Sequence, residues 1–161
     1  MIHFVFDLDD TLILHKGQVN YDWIFEDKEL TYHLDQCRGK RYIFTNGTSQ
    51  HASKILKRMK LSDKFERIFT REDFGYKPDI SVFLQVDHAI RGKDKSHKVI
   101  YFDDLSSNLK SGKYIGWSTC WIHPYFESKI FSEHIDDGYQ DIKHGLQHIN
   151  RELKYNIKQS H

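Results

Sequence analysis

Two aspartates stand two positions apart directly after an apolar run, in Asp7-Leu8-Asp9-Asp10-Thr11-Leu12, where burial alone would not place acids. Carboxylates at i and i+2 beyond a strand can lie close while their surroundings separate their pKa values, so that one stays ionised and the other carries a proton. That division suits a nucleophile paired with a general acid. An Asx turn, in which an aspartate caps the next segment, is the alternative for either residue. A second run ends in Thr45-Asn46-Gly47-Thr48, where a hydroxyl and backbone N–H groups at a helix start would meet an anion or serve only as cap and turn. Lys77, in Gly75-Tyr76-Lys77-Pro78-Asp79, stands at a loop edge before a helix that Pro78 can start. It is placed to balance phosphate charge, or simply to face solvent. A further run ends in Asp103-Asp104-Leu105-Ser106-Ser107-Asn108. Adjacent carboxylates repel unless something positive lies near, and a hard cation takes such oxygens; helix capping by Asp104 is the other use for one of them.

The elements that must hold these groups are legible in the apolar pattern. Residues 2–6, 42–44, 99–102 and 117–122 are short, almost wholly apolar runs of the kind a parallel sheet covered on both faces requires. Between them, Ala52, Ile55, Leu56 and Met59 share one helical face, and Val82, Phe83, Val86, Ala89 and Ile90 share another. Ile142, Leu146, Ile149, Leu153 and Ile157 repeat the pattern in a long C-terminal helix. Alternating strands and helices imply right-handed crossovers and a three-layer α/β/α, Rossmann-like domain with a central parallel sheet. Binding residues then belong at the carboxyl ends of the strands. Residues 12–40 break the rhythm, with a turn at His15-Lys16-Gly17 and room for one or two short helices, and are expected as a modest insertion within one domain spanning 1–161.

The four ordered segments Asp7-Leu8-Asp9-Asp10-Thr11, Thr45-Asn46, Lys77-Pro78 and Asp103-Asp104 resemble the motifs of the haloacid-dehalogenase superfamily of phosphohydrolases. Tyr76-Lys77-Pro78 and Phe102-Asp103-Asp104-Leu105-Ser106-Ser107-Asn108 look similar to its nucleotidase-like branch. The resemblance implies a phosphatase working through an aspartyl-phosphate. Asp7 attacks phosphorus, and Asp9 protonates the leaving oxygen and then activates water. It also implies Mg²⁺ held by Asp7, the backbone carbonyl of Asp9, and Asp103, with Asp104 assisting directly or through water. Thr45 and the backbone of Asn46 would bind phosphoryl oxygens, Lys77 would offset charge, and Thr11 and Asn108 would orient the acids. The 12–40 insertion is shorter than the cap many members use to enclose small metabolites. An open site suits a nucleotide, a phosphoprotein or a nucleic-acid end, while a small phosphomonoester would need Trp23, Phe25 or an oligomeric neighbour as its lid; core is the other reading of the two aromatics.

Composition narrows the classes further. Lys plus Arg is 24 against 23 for Asp plus Glu, so no global field draws the chain to nucleic acid or to anionic lipid. Cys37 and Cys120 have no metal-ligand spacing and read as reduced core thiols. Eleven histidines are scattered. Only His144 and His148 approach a ligand spacing, and they have no further ligand motif beside them, so the histidines read as surface residues. With no basic leader in view and no apolar run of about 18 residues, the expectation is a soluble, cytoplasmic protein without a membrane partner. A domain that keeps the fold but has lost its chemistry, binding phosphate or a partner protein instead, is the reading from another class; the retained Asp7 and Asp9 argue against it.

Overall fold

The computed structural model describes the backbone of residues 1–160 and, apart from residues 129–131, their side chains. Its frame is one sheet of six parallel strands, β1 (Ile2–Phe6), β2 (Lys40–Phe44), β3 (Arg67–Phe69), β4 (Lys98–Asp103), β5 (Ser118–Ile122) and β6 (Asp137–Tyr139), in the order β3-β2-β1-β4-β5-β6. The helices are α1 (Lys28–Asp35), α2 (Ser49–Arg58), α3 (Arg71–Phe74), α4 (Ile80–Arg91), α5 (Ser106–Tyr114) and α6 (Ile142–Gln159).

Strand side chains alternate faces, and the two faces collect separate cores. Phe4, Phe6, Ile43, Ile100 and Phe102 meet α1, α2 and α6 through Leu30, Leu34, Ile55, Leu56, Leu146 and Ile149. Val5, Tyr42, Phe44, Val99 and Tyr101 meet α4 and α5 through Val82, Phe83, Val86 and Leu109. A three-layer α/β/α, Rossmann-like domain follows. Both cysteines are buried and neither is in a disulfide; burial pushes the Cys37 thiol up to about 12, so it packs as an inert apolar group.

Three expectations change. The edge strands β3 and β6 were not foreseen: they are three residues long and begin with Arg67 and Asp137, too short and too polar to register as apolar runs. Within α4, Ala89 is exposed and Asp87 is buried in its place, accepting hydrogen bonds from Arg91 Nε at 2.6 Å and Trp117 Nε1 at 2.8 Å, with Lys95 as a third partner. Residues 28–35 are the crossover helix α1, packed on α6, which any parallel β1-to-β2 connection needs; the part of 12–40 left beside the sheet's carboxyl edge is residues 12–27. Among the described residues no helix is long and apolar enough to cross a membrane.

Candidate active site

The connections from β1 to β2 and from β4 to β5 leave in opposite directions, so the strand order reverses between β1 and β4. A crevice opens at the carboxyl ends of two such strands. The ladder continues one step past β1, with Asp7 N donating to Phe102 O at 2.9 Å, and this sets Asp7 beside Asp103 at the end of β4. Leu8 is fully buried, and its carbonyl accepts from the N–H groups of Thr11, Leu12 and Ile13 at 2.9–3.3 Å. The chain therefore folds back at once and returns Thr11 to the acids. Thr11 Oγ1 lies 3.1 Å from Asp7 Oδ2 and 3.2 Å from Asp104 Oδ1, tying the two carboxylates together.

Lys77 enters from the loop before α4. Asn46 fixes it by a two-point clasp, accepting from Lys77 N at 2.7 Å and donating to Lys77 O at 3.1 Å. The Lys77 ammonium is then buried between Asp7 Oδ1 at 3.0 Å and Asp103 Oδ2 at 2.9 Å, with the Phe44 carbonyl at 2.8 Å. These partners use its three protons. Lys77 still lines the cavity, and from this position it compensates the charge of Asp7. Asp103 also accepts from Asn108 Nδ2 at 3.1 Å, from Leu105 N at 2.8 Å and from the Tyr101 hydroxyl. Tyr101 was missed because it reads as one more core aromatic, yet it stands two residues before Asp103 and so shares its face.

A cavity of about 250 Å³ is lined by Asp7, Asp9, Thr45, Asn46, Lys77, Asp104 and Asn108, together with Asp10, Gly47 and Leu105. Of the residues singled out from sequence, only Thr11 and Asp103 stay out of that lining, and both hold residues that are in it. Carboxylate oxygens of Asp7, Asp103 and Asp104 lie within 4.8 Å of one another. Burial first, then the charge of Asp103, pushes the Asp7 carboxyl up to about 6 against the pull of Lys77. Burial, the hydrogen bond with Asp7 and the charge of Asp103 push Asp104 up to about 9. Of these three crowded carboxylates only Asp7 and Asp103 touch the Lys77 ammonium, and such an oxygen set fits a hard divalent cation.

This crowding has a measurable consequence. A carboxyl whose folded pKa is raised keeps its proton longer in the folded chain than in the unfolded one. Without a cation, stability therefore falls as pH rises from about 4 to about 6 through Asp7, and on towards about 9 through Asp104. A bound cation competes with those protons and opposes the fall. The expected result is that Mg²⁺ at about 100 times its Kd raises the melting temperature by about 5–10 °C at about pH 8, and by less at about pH 5. Indifference to Mg²⁺ across both conditions, read by thermal-shift fluorimetry, would remove the cation site.

Asp9 is held differently. Its carboxylate contacts His51 Nε2, 2.9 Å from both oxygens, and His15 Nε2, 2.6 Å from Oδ1. Its side chain thus belongs to a histidine pair rather than to the cluster of the other three acids. Reading all the histidines as surface residues was wrong here: the side chains of His15 and His51 are only 6% and 18% exposed. His144 and His148 are exposed as expected, each bonded to an acid on its own helix or cap, Glu152 for His148 and Asp141 for His144. The signal for His51 was its place in the first turn of the helix that follows Thr45-Asn46-Gly47; His15 sits in the turn that follows Asp9. Trp23 and Phe25, weighed as core or lid, are 70% and 69% exposed.

The model of the haloacid dehalogenase-like hydrolases matches residues 23–122, and the chain belongs to this family. The matched span holds Thr45, Lys77 and Asp103 and begins after Asp7 and Asp9. The HAD-hydrolase YfnB of Bacillus subtilis is 37% identical over 90 residues, which are 55% of this chain and 38% of that protein. The crystal structure of YfnB bound to magnesium superposes with a TM-score of 0.59 at 24% identity, over 78% of this chain and 55% of that one. L-2-haloacid dehalogenase of Xanthobacter autotrophicus superposes with a TM-score of 0.62 at 14% identity, over 80% and 62%, as does its form with chloropropionic acid covalently bound. The chain spans less than two thirds of the length of each of these relatives.

Proposed function

We propose that this chain is a Mg²⁺-dependent phosphomonoesterase that forms an aspartyl-phosphate on Asp7. The observation that carries the proposal is the separation of carboxylates in one cavity: Asp7, Asp103 and Asp104 converge, while Asp9 lines the same cavity in the grip of two histidines. An Asp7 oxygen attacks phosphorus as the bond to the leaving oxygen breaks, and Asp9 supplies the proton that oxygen needs. In the second step Asp9 takes a proton from water, whose oxygen attacks phosphorus and frees Asp7. Thr45 and the backbone N–H of Asn46 bind the phosphoryl oxygens, while Lys77 keeps Asp7 ionised and offsets the joint charge of carboxylate and phosphate. A Mg²⁺ ion on Asp7, Asp103, Asp104 and the Asp9 carbonyl would neutralise the charge that keeps two anions apart.

Dehalogenation is the competing reading, since a haloacid dehalogenase shares the fold. A departing halide needs no proton, however, so that reaction would use Asp9 only for the water step and would leave its general-acid role idle. A cavity of about 250 Å³ takes the phosphoryl end of a nucleotide or other small phosphomonoester. A polynucleotide end is the second reading, favoured by an exposed groove beside residues 12–27 lined by Tyr21, Lys54, Lys57 and Arg58.

The test is phosphate release by the unaltered protein from an aryl phosphate, nucleoside monophosphates, a 3′-phosphorylated oligonucleotide and a phosphopeptide, with Mg²⁺ or with EDTA. Release in Mg²⁺ that EDTA abolishes is expected. If the oligonucleotide leads the panel at low salt and falls behind at high salt, the groove has a part. Release indifferent to EDTA, or no release from any member, would sink the proposal.

A further inference from the structure

Asp9 lines the cavity but stands outside the cluster of Asp7, Asp103 and Asp104. Its partners are two imidazoles from different parts of the chain. His51 reaches it from the first turn of α2, 42 positions away in sequence, with both oxygens at 2.9 Å. His15 reaches it from the turn after β1, at 2.6 Å.

Each histidine is itself fixed. The Tyr21 hydroxyl lies 2.6 Å from His51 Nδ1. A neutral ring that accepts the Tyr21 proton at Nδ1 carries its own proton on Nε2, toward Asp9. The Tyr21 ring lies under the Lys54 ammonium at 4.5 Å from ring centroid to Nζ. The His51 backbone N–H donates to the Thr48 cap. A Cβ on Gly47 would stand 2.8 Å from His51 Cδ2, so the absence of a side chain there makes room for the ring. His15 donates its backbone N–H to Asp10 Oδ1 at 3.1 Å, which pins the turn that carries its ring.

We infer that His51, anchored by Tyr21, and His15 are positioning residues that hold the Asp9 carboxylate on the leaving-group side of the cavity, apart from the Asp7, Asp103 and Asp104 cluster. Two donors on one carboxylate fix its plane as well as its place. A carboxyl that must reach both a leaving oxygen and a water gains from being held, because a misplacement of about 1 Å can cost about 100-fold. The inference rests on the phosphatase reading and adds the groups that aim its general acid.

The experiment exploits the leaving group. Departure of a nitrophenolate needs little help from an acid, whereas departure of an alkoxide needs a proton. kcat/KM is measured for a nitrophenyl phosphate and for an alkyl phosphate with the unaltered protein and with His51→Ala, His15→Ala, Tyr21→Phe and His51→Gln. His51→Ala is expected to lose about 10–100-fold on the alkyl phosphate and less than about threefold on the nitrophenyl phosphate. His15→Ala and Tyr21→Phe should show the same contrast more weakly, and His51→Gln, which keeps an N–H near the position of Nε2, should recover most of the loss. Equal losses on both substrates, or none on either, with the unaltered protein active, would overturn the inference and leave the phosphatase reading standing. An unaltered protein inactive on both would overturn the two together. His51→Ala with a lower melting temperature but an intact leaving-group contrast counts for the inference, since unfolding removes active molecules without changing which substrate they prefer.

Discussion

Asp7→Asn is expected to lower phosphate release at least about 10⁴-fold, as removal of a covalent nucleophile does, while leaving the fold in place. The two parts of the expectation have different origins. An amide cannot take the phosphoryl group, so the chemistry stops at its first step. The fold tolerates the change because the Asp7 charge is already disfavoured there by burial and by Asp103; an amide removes that repulsion, although it also removes the partner 3.0 Å from Lys77. The two effects oppose each other, and the melting temperature should stay within about 4 °C of the unaltered protein. Acid-quenched samples of the unaltered protein with a fast substrate should carry phosphate on the chain, and Asp7→Asn samples should not. Retention of more than about a tenth of the activity by a folded Asp7→Asn would exclude Asp7 as the nucleophile and would return Asp9 or Asp104 to consideration.

The residues that the sequence placed together and the structure also places together are those at strand ends. Asp7, Thr45 and Asp103 each follow a buried run that only a doubly covered parallel sheet explains, and strands of one parallel sheet deliver their carboxyl ends to one edge. Lys77 joined them through its motif rather than through any local pattern. What escaped notice depends on contacts between distant segments. His51 stands in the first turn of the helix after Thr45-Asn46-Gly47, yet that place alone does not tell a helix-surface histidine from one aimed at a carboxylate 42 residues earlier. Tyr101 escaped because a buried hydroxyl looks apolar in a hydropathy pattern. Asp87 escaped because its partners, Trp117 and Arg91, cancel the cost of burying it. Trp23 and Phe25 show the converse: aromatic content suggests core, but both lie in residues 12–27, a stretch with too little structure of its own to cover them.

The largest effect on stability should come from Lys77→Met. The Lys77 side chain is 1% exposed between Asp7 and Asp103. Burial works to lower its pKa, but Asp103 and then Asp7 outweigh burial and raise it. The ammonium therefore stays charged from about pH 5 to about pH 8. Methionine matches its length without the charge, leaving two buried carboxylates with no cation between them. Removing one partner from a buried ion pair costs about 3–5 kcal/mol, which in a domain of this size lowers the melting temperature by about 6–20 °C. The sign with pH follows from linkage. Without Lys77 the carboxyl of Asp7 is pushed further up, so the variant loses more stability as pH rises through that range. The deficit is therefore expected to be smaller at about pH 5 than at about pH 8, and added Mg²⁺ should recover part of it by supplying positive charge to the same acids. A Lys77→Met protein that melts with the unaltered one at both pH values would mean that Asp7 and Asp103 are protonated in the folded chain, and the charge balance argued for the site would fail at its centre.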